Sequence, residues 1–258
     1  MAFSHSVCRW CFGEIPLLQL ADWCVEMGIQ GIDLLTPSET LKIKGHSLVC
    51  PVSTFPQDEN GLGCIEKAFN KPEHHAPLLE LYQKWIPEAA EAGISNVIVF
   101  SGNRDGLSDQ EGLENCASGL EPLLDLAEKH DIKLVMELLN SKVDHPDYQC
   151  DFSSWGISLR EKLDSERFGL LYDIYHMQLM EGDVIATIKK YSQHFFHYHT
   201  AGVPGRHELD ETQELYYPAI MKAIQDTQFE GFVAQEFKPT WPDQKAALAD
   251  AIKRCSTK

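Results

Sequence analysis

Positive charge is scarce in this chain: 22 Lys and Arg stand against 39 Asp and Glu, a formal net charge of −17 over 258 residues. Nucleic-acid binding depends on cationic side chains displacing counterions from phosphates, so this acidic balance argues against nucleic-acid partners. Long apolar runs are also missing. No stretch reaches membrane-spanning length, and the start MAFSHSVCRW lacks the charged and apolar regions of a secretion signal. The eight cysteines form no compact framework, so reduced thiols in a cytoplasmic compartment are expected. Their one C-x-x-C, Cys8 and Cys11, has no second pair nearby and fits the alternation Val7, Arg9, Cys11 of ordinary strand residues. Low-complexity tracts and linkers are absent, which predicts one domain over residues 1–258.

What is present is ordinary globular composition, 43% hydrophobic and 24% charged, arranged in a strict alternation. Short apolar runs occur at HSVCRWC, GIDLL, SLVCPVS, NVIVF, IKLVMELLN, FGLLYDIYH, FFHYHTAG and GFVAQEF, with amphipathic helical patterns between them. Such alternation predicts a parallel sheet with crossover helices, and eight units at this length predict a (β/α)₈ TIM barrel. Gly28 and Gly93 stand where left-handed helix ends are expected. Pro16, Pro77 and Pro218 suit first helical turns, whereas Pro87 interrupts the pattern Leu78, Leu81, Trp85, Ala89 and predicts a kink. STFPQDENGLGCIEKAFNKPEHH is the longest loop region and would lie on the catalytic face as a lid, binding element or subunit contact.

The last four runs each carry one chemically capable side chain where strand gives way to loop: Glu137, Asp173, His199 and Glu236. That end of a barrel strand faces the active site. A structural ion pair accounts for one such carboxylate, but poorly for three at equivalent positions, because buried carboxylates are costly without a partner. Two glutamates, an aspartate and a histidine form a hard ligand set suited to Mn²⁺, Mg²⁺ or Zn²⁺. His197 and His199 share a face, and only His199 is near enough to the mouth to join the set; His197 belongs to a deeper layer. His176 leaves the sixth strand three residues after Asp173; it could ligate a metal, bind substrate or cap a helix, and substrate contact is the favoured role. Arg206, in the loop AGVPGRHELD, and Lys238, in EFKP, are candidate cations for an anionic substrate, with a surface salt bridge to Glu208 or Asp210 as the alternative for Arg206. A divalent ion with carboxylates on either side suits an α-hydroxy carbonyl substrate, whose enediolate it would stabilise while Glu137 or Glu236 moves a carbon-bound proton. Isomerisation and epimerisation share this ligand set.

The motifs MELLN, LLYDIYHMQ, HYHTAGVPGRHELD and AQEFKP resemble those of the hydroxypyruvate isomerase family, within the xylose isomerase-like barrel superfamily. The resemblance implies a divalent metal held by Glu137, Asp173, His199 and Glu236, proton transfer by the two glutamates, and substrate contacts from His176 and Arg206. It implies conversion of hydroxypyruvate to tartronate semialdehyde. Glutamine occurs in that family where this chain has His199, while related ketose 3-epimerases use histidine, so a 3-epimerase is the first alternative. An apurinic-site endonuclease is a remote one, because Ser101 stands where such an enzyme would place a histidine ligand. A non-catalytic scaffold would not need both glutamates. A homo-oligomer is compatible with the sequence and not required by it.

Overall fold

A computed structural model of the chain describes residues 3–256. Eight parallel strands alternate with helices: β1 (Ser4–Cys8), β2 (Gly31–Asp33), β3 (Val52–Ser53), β4 (Asn96–Val99), β5 (Lys133–Glu137), β6 (Phe168–Asp173), β7 (Phe195–Thr200) and β8 (Phe232–Gln235). The order is β2-β1-β8-β7-β6-β5-β4-β3, and bridges Gly31↔Val49 and Leu35↔Ser53 bring the two ends together. The result is the expected (β/α)₈ barrel. All six residues of β6 are buried, as a strand flanked by helices outside and barrel core inside requires.

The helices are α1 (Leu17–Met27), α2 (Pro37–Ile43), α3 (Pro72–Ala92), α4 (Asp109–Lys129), α5 (Ser153–Leu163), α6 (Ile174–Met180), α7 (Val184–Tyr191), α8 (Tyr217–Asp226) and α9 (Gln244–Cys255). Helices α2 and α4 begin with reciprocal capping boxes, Thr36 with Glu39 and Ser108 with Glu111. The sixth crossover is two helices rather than one, because Gly182 (φ 64°) and Asp183 (φ 45°) turn the chain left-handed between α6 and α7.

Three local expectations need correction. Cys11 is not a strand residue: β1 ends at Cys8, and Arg9–Phe12 form a 3₁₀ turn in which the Arg9 guanidinium donates to the Phe12 carbonyl. Pro77 is not at a helix start, since α3 begins at Pro72 and runs unbroken through both Pro77 and Pro87. The third strand is shorter than SLVCPVS suggested, because Pro51 has no N–H to give a ladder.

Gly28 and Gly93 do end their helices left-handed, at φ 71° and 82°. Alanine at either is expected to cost about 1 kcal/mol, from backbone conformation alone, because the added methyl would meet nothing within 4 Å. Gly63→Ala should cost more: at φ 98° its Cβ would lie 2.2 Å from the Pro56 carbonyl oxygen. Chemical denaturation of the three variants checks the ranking.

Candidate metal centre and active site

Four consecutive parallel strands carry the acidic cluster to one rim. Glu137 ends β5, Asp173 ends β6, His199 is the penultimate residue of β7, and Glu236 directly follows β8. Register does the rest: Asp173 pairs with His199, and His199 with Ala234, two residues before Glu236. One ligand atom from each of Glu137, Asp173, His199 and Glu236 lies within 4.8 Å of the other three, and all four residues are buried. His199 Nδ1 is 3.2 Å from Glu137 Oε1 and 3.0 Å from Glu236 Oε2.

Electrostatics explain why such a cluster wants a cation. Burial, with Glu236 alongside, raises the Glu137 carboxyl above its ordinary range and pushes Asp173 well above it. Burial opposes charge on Glu236 as well, yet His199 and Arg206 hold it well below the usual carboxylate range. Three buried carboxylates against one imidazole and one guanidinium leave an excess of negative charge that a divalent ion would neutralise. The donor set, three hard carboxylates and one imidazole nitrogen, therefore fits Mn²⁺, Mg²⁺ or Zn²⁺.

Arg206 is not a surface residue bridged to Glu208 or Asp210. It is 7% exposed, and its Nη2 reaches Glu236 Oε2 and lies 3.6 Å from Asp173 Oδ2. Its guanidinium stacks 5.0 Å from the Trp10 ring, and its Nε has no hydrogen-bond partner among the described residues. Lys238 is exposed on the same wall, with its amide donating to the Arg206 carbonyl at 2.6 Å.

His176 is fully buried, and its backbone N–H donates to Asp173 Oδ1, capping α6. Its tautomer follows from a neighbour. Asn140 Oδ1 accepts from the Val143 and Asp144 amides, which fixes the Asn140 side chain with its NH₂ toward His176 Nδ1 at 2.5 Å. Nδ1 is thus the acceptor, and a neutral His176 carries its proton on Nε2, 3.6 Å from Asp173 Oδ2. Burial, then the charge of Arg206, keeps His176 well below its ordinary range and so neutral.

Three contributors escaped sequence reading. Asp33, at the end of β2, places Oδ2 2.5 Å from His197 Nε2 and 3.6 Å from His199 Nε2. It occupies the deeper layer with His197 and engages the His199 nitrogen facing away from the glutamates. It was legible in principle, as a carboxylate interrupting the apolar run GIDLL. Trp10 donates Nε1–H to Glu236 Oε1 at 2.8 Å, and Asn140 orients His176; neither has a distinctive signal in sequence.

Residues 21–256 match the family model described as xylose isomerase-like TIM barrel. The chain belongs to that family. Proteins similar to it include the hydroxypyruvate isomerase of Escherichia coli K12, 24% identical over 88% of this chain and 90% of that protein. The 2-oxo-tetronate isomerase of Haemophilus influenzae is 27% identical, again over 88% of this chain and 90% of its own. Among solved structures, a protein described as AP endonuclease, family 2, from Brucella melitensis superposes with a TM-score of 0.84 at 22% identity, covering 97% of this chain and 99% of that one. At that identity the likeness speaks to fold alone. Both sequence relatives are isomerases, the class that the paired glutamates suit.

Proposed function

We propose that this isomerase moves a proton between adjacent carbons of a small α-hydroxy carbonyl acid and is dependent on a divalent metal. Its best single substrate on this reading is hydroxypyruvate, converted to tartronate semialdehyde. One observation carries the proposal: Glu137 and Glu236 flank the same imidazole nitrogen, both buried, at the mouth of the barrel. Glu137, Asp173, His199 and Glu236 would hold the cation. When bound, the cation would supply positive charge that stabilises negative charge developing on the substrate's oxygens.

This chain's own groups do the remainder. One glutamate takes the carbon-bound proton and the other returns a proton to the neighbouring carbon; the reverse reaction exchanges their roles. Arg206 and Lys238, which both border the cavity beside Glu236, would present positive charge to the substrate carboxylate. His176, fully buried beside Asp173, would act from behind the cavity wall, its Nε2–H turned toward Asp173 Oδ2 at 3.6 Å. The indole of Trp10 holds one oxygen of Glu236 and leaves the other to face His199 and Arg206.

Proton-exchange NMR in deuterated buffer tests the reading, with Mn²⁺ or Mg²⁺ and hydroxypyruvate, fructose or tagatose. The expected result is metal-dependent exchange and conversion of hydroxypyruvate. Inert hydroxypyruvate with epimerisation of a ketose would favour a 3-epimerase instead.

A further inference from the structure

The cavity over the carboxylate cluster has two unlike walls. One side is charged: Glu137, Glu236, Arg206 and Lys238 come from the β5 end and the β7–β8 side of the barrel. Across the mouth, Leu34, Phe55, Ile65, Ile98, Phe100 and Leu139 face the same space from the ends of β2 to β5 and the long loop after β3. The polar groups on that side are Thr54 and His145. Strand order accounts for most of the separation, since β3 and β4 lie opposite β7 and β8 in the ring; β5 is the boundary, giving Glu137 to one wall and Leu139 to the other.

Two features show that the apolar wall is built rather than incidental. Leu34 holds a φ of 60°, a conformation that bulky side chains seldom adopt, and its amide is fixed by a 2.8 Å hydrogen bond to the Val52 carbonyl. That backbone places a half-buried leucine at the pocket edge, directly after Asp33 in the polar interior. The Phe55 ring, from the loop, meets Phe100 edge-on with centroids 5.1 Å apart, so the loop extends the strand-borne wall. Size points the same way. The cavity is about 470 Å³, within the roughly 300–1,000 Å³ typical of sites for ligands much larger than a three-carbon acid.

We propose that the site is built for 3-hydroxy-2-oxo acids, R–CHOH–CO–COO⁻, in which R is a short alkyl group resting on the wall of Leu34, Phe55, Ile65 and Phe100. The inference rests on the isomerase reading above and narrows its substrate. The reaction is balanced internally: C3 loses its hydrogen as a proton, C2 receives one, the C3 hydroxyl proton passes to the C2 oxygen, and the product is R–CO–CHOH–COO⁻. No oxidant or co-reactant is required. A hydroxylated R would leave most of its hydroxyls facing carbon, at the cost of their water contacts. An alkyl R gains about fourfold in kcat/KM per methylene buried.

The decisive comparison uses the full-length, metal-loaded enzyme with R = H, hydroxymethyl and ethyl; the last two are nearly the same size. The expected result is that ethyl exceeds hydroxymethyl in kcat/KM by at least about tenfold. Leu34→Asn should reduce that ratio by about an order of magnitude, since asparagine keeps the left-handed backbone and replaces the apolar surface. Binding supplies a second measurement independent of turnover: 2-oxopentanoate and 2-oxo-4-hydroxybutanoate, neither of which has a C3 hydroxyl, should bind in the same order. Hydroxymethyl equal to or better than ethyl would overturn this inference and leave the isomerase intact. No exchange on any of the three acids, hydroxypyruvate included, would overturn the isomerase reading itself. The binding order of the two inert acids would then decide the apolar wall alone.

Discussion

Replacing Glu137 or Glu236 by glutamine should lower kcat by about 10²- to 10⁴-fold, the usual range for loss of a positioned proton carrier. The two variants should part company in stability. In the cation-free protein, burial and the neighbouring Glu236 raise the Glu137 carboxyl, so its ionised form is disfavoured by folding. A group with a raised folded pKa costs stability at neutral pH when ionised, and a neutral isostere removes that cost. Glu137→Gln should therefore unfold at the same temperature as wild type or higher. Glu236 has the opposite sign. Despite its burial, His199 and Arg206 hold it well below the usual range, so its charge favours folding above the unfolded-state pKa. Glu236→Gln leaves Arg206 buried with its main partner neutralised and should lower the cation-free melting temperature. Steady-state rates and differential scanning calorimetry of both variants, stripped of metal, check the pair. Equal destabilisation by both substitutions would refute the assignment of opposite electrostatic roles.

The fold was legible because a barrel repeats one local pattern eight times, and each apolar run marks a strand regardless of the others. The ends of elements were less so. Breaks such as Gly182–Asp183 and the 3₁₀ turn at Arg9–Phe12 depend on single backbone conformations that periodicity does not register. The acidic cluster was visible for a physical reason: a carboxylate inside a strand buried on both faces must be paired, so Glu137, Asp173 and Glu236 stood out of their runs. Asp33 carried the same signal, but its partners His197 and His199 lie on β7, and only barrel closure brings β2 beneath them. Trp10 and Asn140 were silent. A tryptophan after a strand and an asparagine in a loop have many uses, and their roles come from partners on β8 and α6. Sequence also suggested Arg206 as a loop residue over the site, and its burial between Asp173 and Glu236 emerged only in three dimensions.

Adding Mn²⁺, Mg²⁺ or Zn²⁺ to metal-stripped protein should raise its melting temperature, because a ligand that binds only the folded state stabilises it by mass action. At a hundredfold excess over Kd the gain is about 2.7 kcal/mol, equivalent to roughly 5–10 °C for a chain of this size. The same titration should restore turnover removed by a chelator. Asp173→Asn separates the cluster's two properties. Burial and Glu236 push the Asp173 carboxyl well up, so neutralising it relieves repulsion in the cation-free state. Asparagine can still accept the His176 amide hydrogen bond that caps α6. The variant should accordingly fold at least as stably as stripped wild type, while the thermal gain from metal and the turnover are both largely lost. A wild-type protein whose melting temperature ignored all three ions at millimolar concentration would refute the reading of this cluster as a metal centre.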